Sequence, residues 1–256
     1  MNQRLLTIKE ELLLTLLRLR HGLEVDMLSD LMGVSSALVS RITTTWSHLL
    51  SRELQLIIKW PTRQQVLSTL PSSFRFFAET RVIIDCTELQ LLKPSLPSIQ
   101  RQSYSTYKHR NTAKCLVGIT PHGTFCFVSD MWTGSVSDRK IVEASGFLDM
   151  TEEGDDVMAD SGFLIHDLLT MCRATLNIPP FTHGKQMSQA AVTKTRRIAA
   201  VQIHVERAMG RLKQFRLTGG TIPLIGGTIP AQLNPLISPC VIVAAALYNL
   251  DKPLCR

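Results

Sequence analysis

Three carboxylates stand out by their surroundings. Asp85 closes the run Arg81-Val-Ile-Ile-Asp85, Asp160 closes Gly154-Asp-Asp-Val-Met-Ala-Asp160, and Glu206 sits in a long helical stretch. Both Asp-terminated runs read as short buried strands. Their carboxylates are therefore expected at strand ends, on the rim of a sheet where active sites of such folds collect. A helix crossing that rim could add Glu206. Hard oxygen ligands suit Mg²⁺ or Mn²⁺. Two such ions a few ångströms apart can activate water and stabilise the leaving oxygen in phosphodiester hydrolysis or transfer. Acids gathered without a cation would repel one another, so a metal would also explain how they coexist. Each residue has a plainer role as well: Asp85 or Asp160 capping the turn that follows, Glu206 paired with a nearby Arg. Asp138, in Gly134-Ser-Val-Ser-Asp138, reads as a helix cap or a supporting residue rather than a ligand. No G-x-S-x-G, Walker loop or G-x-G-x-x-G offers a competing chemistry.

The elements that must position these residues fall into two textures. Residues 5–50 read as helical, with Leu5, Leu12, Leu13, Leu16 and Leu17 on a helix-period stripe and Gly22 as its stop. Val25 to Met32 forms a second helix ending at Gly33, and a third opens at Ser35 or Ser36 and runs to Leu50. Two helices joined by a short Gly-containing turn make a helix-turn-helix, with Ser36, Ser40, Arg41 and Thr44 facing outward toward phosphates or base edges. A plain helical bundle fits the same stripe. Pro71-Ser72-Ser73 marks the boundary, giving a helical domain over 1–72 and a second domain over 73–256. From residue 81 strands take over. Lys114–Thr120 and Thr124–Ser129 are joined by the hairpin signal Pro121-His122-Gly123, Leu176–Pro179 reads as a further strand, 188–215 as a long helix and 238–250 as a terminal helix. An α/β or α+β domain on a mixed sheet follows. The unit Gly219-Gly-Thr-Ile-Pro223 recurs at Gly226-Gly-Thr-Ile-Pro230, a local loop duplication.

Charge narrows the function further. Of 28 basic residues, seven (Lys194, Arg196, Arg197, Arg207, Arg211, Lys213 and Arg216) crowd one stretch whose sole acid between 194 and 216 is Glu206. That stretch carries +6 of the formal +7, which favours a phosphate-binding surface over a solvated helix face. Six cysteines lack C-x-x-C or zinc-finger spacing, so they read as buried thiols of a reducing compartment. The longest apolar run, Cys240 to Tyr248, falls well short of the ~20 residues a membrane span needs. Glu10 and Glu11 inside the first apolar stretch argue against a signal peptide. A soluble intracellular protein is expected.

The segments Ile84-Asp85-Cys-Thr-Glu88, Tyr107-Lys-His-Arg-Asn-Thr112, Val117-Gly-Ile-Thr-Pro121, Gly134-Ser-Val-Ser-Asp138, Met158-Ala-Asp160-Ser-Gly-Phe163, Asn177-Ile-Pro-Pro180 and Ile203-His-Val-Glu206-Arg207 occur in an order that resembles the DDE endonuclease domain of PIF/Harbinger-superfamily transposases. Glu11-Leu-Leu-Leu-Thr-Leu-Leu-Arg18-Leu-Arg20 and the helices after it resemble the small helix-turn-helix domain that accompanies it. The resemblance implies an RNase H-like mixed sheet flanked by helices, preceded by a small all-α domain. It implies that Asp85, Asp160 and Glu206 are catalytic and hold divalent metal, two Mg²⁺ or Mn²⁺ ions. Arg207, Arg211 and Lys213 would lie on the catalytic helix along the DNA backbone, with Lys108, His109 and Arg110 as further DNA contacts. Transposon ends and target DNA are the implied partners, beside a homo-oligomer or an accessory DNA-binding protein, in the nucleus and away from membranes. Ser161 stands where relatives carry Arg or Lys, and relatives often bear a zinc-binding module upstream. The alternative is therefore a transposase-derived protein, a fragment or decayed copy, that binds DNA or a partner without cutting.

Overall fold

The computed structural model describes residues 5–179, 189–216 and 236–251. The chain opens with three helices, α1 (Ile8–His21), α2 (Val25–Met32) and α3 (Ser36–Leu54). Thr7 and Glu10 form a reciprocal capping box at the start of α1, and Ser35 caps α3 by accepting from the Leu38 amide. Gly22 and Gly33 end α1 and α2 at φ of 64° each, a left-handed conformation that costs a glycine nothing. Leu14, Leu28, Val39 and Ile42 form the small core of this layer. Glu11 is buried in it because its carboxylate accepts from Trp46 Nε1 at 3.0 Å, which ties α1 to α3.

The second layer system is built on one sheet. Its strands are β1 (Thr80–Gln90), β2 (Tyr104–Ser105), β3 (Arg110–Ile119), β4 (Phe125–Val128), β5 (Trp132–Thr133), β6 (Asp156–Met158) and β7 (Thr175–Asn177). β3 runs antiparallel to β1, while β2, β4 and β5 share its outer edge. On the other side of β1, β6 and then β7 add in parallel. Antiparallel strands first and parallel strands after, with β1 at the centre, make a mixed sheet consistent with the RNase H-like fold that the resemblance implies. Two short helices precede and interrupt it, α4 (Arg63–Ser68) and α5 (Pro97–Ser103). Helices α6 (Asp138–Ala144), α7 (Phe147–Met150) and α8 (His166–Met171) cover one face, with Ile84, Leu116, Ile141, Phe147 and Leu169 in the core between them. The long α9 (Gln189–Leu212) and the terminal α10 (Ile237–Asn249) cover the other, packing Val201, Ala208, Leu212, Val241 and Ala244 onto Ile83, Val117 and Met158.

Helix α10 also joins the two layer systems. Asn249 exchanges two hydrogen bonds with the Phe125 backbone, 2.9 and 2.8 Å, and the Tyr248 hydroxyl donates to the Gly123 carbonyl at 2.8 Å. Its other side buries Cys240 and Val243 against Leu19, with Leu50 and Leu54 packed alongside. The helical region is therefore docked on the sheet domain. Among the described residues no helix is long and apolar enough to cross a membrane. The duplicated Gly-Gly-Thr-Ile-Pro units lie outside the described residues.

Three expectations are corrected. Asp85 does not end a strand: β1 continues five residues past it to Gln90. The reason is the antiparallel partner, since Cys86 to Gln90 keep pairing with Leu116 to Thr112. Only the parallel partner stops early, at Met158 opposite Ile83. Likewise β6 ends at Met158, and Asp160 follows two residues later. Ser137, not Asp138, is the N-cap of α6.

Candidate functional site

The register places the two aspartates side by side. Ile83 of β1 faces Met158 of β6, so two further residues on each chain lead to Asp85 and Asp160 at the same level, beyond the last parallel pair. Side chains alternate along a strand, so Asp85 projects to the face of Ile83, the one covered by α9. Asp85 is half-buried, and burial raises its carboxyl pKa above the usual carboxylate range. The Cys86 amide and the charge of Lys213 work against that rise, and the negative charges of Asp138 and Asp160 add to it. Asp160 is exposed, and its Oδ1 accepts from the Ser161 amide at 2.7 Å and from the Ser161 hydroxyl at 3.4 Å. The shorter of these bonds comes from the backbone of residue 161 and does not depend on its side chain.

Glu206 is placed less closely. It is exposed on α9, one position past the buried Val205. Lys213, the residue directly after α9, does act on the Asp85 carboxylate by its charge. Seven residues, about 10 Å and close to two full turns, separate Glu206 from Lys213. Among the described residues, no three His, Cys, Asp or Glu side chains converge closely enough to hold a metal ion. The Asp85–Asp160 pair still fits a hard divalent cation. It offers oxygen donors only, its buried member is repelled by two like charges, and Mg²⁺ usually takes one or two protein carboxylates and fills its shell with water and phosphate.

Other acids on these strands have structural work. Asp155 is buried and accepts from Arg81 and Arg63, each at 3.1 Å. Asp156 is buried and accepts from Thr80, Thr175 and Asn177, which locks β1, β6 and β7 together. Asp138 is pulled toward β3 by Lys114, whose Nζ lies 3.0 Å from Asp138 Oδ1 and 3.7 Å from Glu88 Oε1. Burial by itself would lower the Lys114 pKa, but the hydrogen bond and charge of Asp138, with the charge of Glu88, raise it instead. Gly134, at the start of the Gly-Ser-Val-Ser-Asp segment, approaches so closely that an added Cβ would lie 2.2 Å from Thr112 Oγ1 and 2.6 Å from the Ser103 carbonyl.

The expected DNA-contacting residues divide similarly. Ser40 and Arg41 are exposed on α3, whereas Ser36 is committed to Asp26 Oδ1 at 2.6 Å. Arg207 and Lys213 are exposed. Arg211 is half-buried, with its guanidinium 5.9 Å from the Tyr248 ring centroid, and Arg197 stacks on Phe76 at 3.8 Å. Arg211 is thus partly drawn into the fold, whereas Arg197 stacks on the exposed Phe76 at the surface. The side chain of Lys194 lies outside the described residues. Lys108 and Arg110 sit exposed on the β2–β3 hairpin.

Sequence reading missed one basic region. Residues 89–129 contain five Lys or Arg and not one Asp or Glu. A near-neutral average over the chain outside 194–216 concealed this, because the acids cluster elsewhere. A running count of acids along the chain would have shown it.

An RNase H-like sheet with aspartates aligned at one rim, preceded by a helix-turn-helix, is the architecture of a DDE-type nuclease. The comparisons with known proteins agree. The model of the family described as DDE superfamily endonuclease matches residues 84–249, and that of the helix-turn-helix of DDE superfamily endonuclease matches residues 3–56. The chain belongs to the Harbinger-type DDE transposase family. It is 24% identical over 156 residues to “Putative nuclease HARBI1” of Rattus norvegicus, covering 59% of this chain and 44% of that protein. The protein of the same name from Homo sapiens is 23% identical over 173 residues, 64% of this chain and 48% of that protein. The match thus spans less than half the length of these curated relatives. No solved structure matches the chain.

Proposed function

We propose that the chain is a divalent-metal-dependent DNA endonuclease of the transposase type, with Asp85, Asp160 and Glu206 as its catalytic acids. The observation that carries this reading is the register that levels Asp85 with Asp160 at the sheet rim, on the face crossed by the basic helix α9. Asp85 and Asp160 would hold Mg²⁺ or Mn²⁺, and Glu206 would complete the set. Bound there, such ions supply Lewis-acid stabilisation of a phosphodiester and activation of water, in the two-metal manner. The chain's own contribution is positional. The Ser161 amide orients the Asp160 carboxylate, and Lys114 holds Asp138, whose charge acts on Asp85. Arg207 and Lys213 bind backbone phosphates, joined by Lys108 and Arg110, with Arg211 a weaker contributor. Ser40 and Arg41 of α3 meet the duplex, with Ser36 fixing the start of that helix. Transposon ends and target DNA are the substrates; the first cut releases a 3′-hydroxyl that attacks target DNA. The division at residue 72, residence in the nucleus and assembly with a second copy or an accessory DNA-binding protein belong to the same proposal.

A second reading has its own support. Among the described residues no three acids come close enough to hold a metal ion, and the cation Lys213 acts on Asp85. A chain that keeps DNA contacts without cutting would look like this. Calorimetric titration of Mn²⁺ in the presence of a short duplex separates the two. For the endonuclease, Mn²⁺ binds wild type, and Asp160→Asn and Asp85→Asn abolish both binding and cleavage while leaving the fold intact. Cleavage unchanged in Asp160→Asn would sink the catalytic assignment. Duplex binding without any Mn²⁺ uptake would make the non-cutting DNA binder the better account.

A further inference from the structure

A cleft of about 810 Å³ opens between the far end of β1, helix α5 and the β2–β3 hairpin. That volume falls within the ~300–1,000 Å³ typical of small-ligand sites. Lys93, Arg101, His109 and Arg110 line it, together with Tyr104, and its lining includes no acid. We propose that it binds one unpaired nucleotide of a DNA strand, the phosphate against Arg101, Arg110 and Lys93 and the base stacked on Tyr104. This rests on the DNA reading above and gives that reading a specific substrate feature.

The arrangement is built for an anion. All of the cleft's lining but Ser135 comes from the acid-free stretch 89–129, so no carboxylate from that segment offsets the cations. Arg110 is preset rather than swinging: Nη1 donates to Gln90 Oε1 at 2.7 Å and Nε to the Lys108 carbonyl at 3.1 Å. The wall behind is pinned by Asn111 Nδ2, which donates to the Gln100 carbonyl and to Ser103 Oγ, each at 2.8 Å. His109 is held at φ 52°, a left-handed conformation uncommon outside glycine. Next to it, Tyr107 is 78% exposed and carries Lys108 Nζ 4.5 Å from its ring centroid. Cations interleaved with exposed aromatic rings are how strands with unstacked bases are held, since every base has a face to stack and every link a phosphate. A paired duplex offers only its outer backbone to such a concave site. Tyr104, 42% exposed, would then lack a partner.

The cleft is also within reach of the carboxylates. Gln90 lies five residues along β1 from Asp85, roughly 17 Å at strand rise. A strand stacked at the duplex rise of 3.4 Å per nucleotide spans that in about five nucleotides, and an unstacked one in fewer. An end with a short single-stranded extension could therefore occupy both places at once.

The test compares the full chain on a blunt duplex and on the same duplex extended by about five unpaired nucleotides, one of them 2-aminopurine. Anisotropy gives affinity, and 2-aminopurine emission reports stacking. Wild type is expected to bind the extended DNA about tenfold more tightly, in the range that stacking one base supplies, with quenched emission. Tyr104→Ala and Arg101→Ala should each remove the preference, and Tyr104→Phe should keep it. Circular dichroism checks that the variants are folded, and Lys93→Ala serves if Tyr104→Ala is not. Equal affinity of wild type for the two duplexes would overturn the nucleotide cleft and leave the DNA reading standing. A preference that survives in Arg101→Ala and in every folded Tyr104 or Lys93 variant would place the unpaired base elsewhere. Failure to bind either duplex would remove the DNA reading, and the cleft with it.

Discussion

Lys114 is the position where a single substitution should cost most for a calculable reason. Its ammonium sits in the sheet with its side chain 10% exposed, 3.7 Å from Glu88 (6% exposed) and 3.0 Å from Asp138 (31% exposed), and donates to the Val136 carbonyl at 3.1 Å. Methionine in its place keeps the stem and deletes the charge, leaving two carboxylates without their cation. Breaking a buried pair in this way costs about 3–5 kcal/mol. Asp138 is nearly a third exposed and Glu88 still accepts from Thr112 Oγ1 at 2.7 Å, so the lower end applies, about 3 kcal/mol. For a chain of this size that is roughly 6–12 °C of melting temperature. Urea denaturation of wild type, Lys114→Met, Glu88→Gln and the double variant closes the cycle. If stranded charge is the cause, Glu88→Gln should recover about 1–3 kcal/mol in the Lys114→Met background. A loss below about 1 kcal/mol, or strictly additive effects, would refute the view that Lys114 neutralises this cluster.

Further outcomes follow from other contacts. Gly134→Ala should lower stability by about 1–3 kcal/mol in the same assay, because Thr112 Oγ1 and the Ser103 carbonyl leave no room for a Cβ; a neutral result would mean that the 134 turn shifts freely. Arg207→Ala should reduce the salt dependence of DNA binding by about one phosphate contact, while Arg211→Ala should mainly lower the melting temperature through its place beside Tyr248. Equal slopes for wild type and Arg207→Ala would take Arg207 off the DNA. Asp167 is bound by Arg139 through two 2.6 Å hydrogen bonds, which lower its pKa from 3.8 to about 2. Its folded pKa is below the unfolded one, so its contribution to stability is present above about pH 3.8 and fades as the pH falls toward 2. Carboxyl ¹³C titration should show that midpoint, and a value near 3.8 would mean the pair is open in solution.

Local chemistry made much of the fold readable from the sequence. Gly22 and Gly33 stop helices wherever a left-handed residue is needed, and Ser35 caps the next helix through an amide three residues away. Pro121-His122-Gly123 closes a hairpin between two apolar strands. These are interactions between near neighbours, so their cause is written in adjacent residues. The order of motifs around Asp85, Asp160 and Glu206 likewise pointed to the family that the comparisons support. What neighbours could not decide was where a strand ends when its partners differ in length. β1 runs past Asp85 because β3 keeps pairing with it after β6 has stopped. Nor could charge along the chain show which arginines stay available, since Arg197 and Arg211 meet rings brought from residues 76 and 248 by packing. The tertiary structure also brought the charge of Lys213 to bear on Asp85 and gathered residues of an acid-free segment into a cleft. Sequence fixes periodicity and caps because those depend on residues a few bonds apart. Charge pairing, burial and register depend on distances between segments, and only the folded chain defines those.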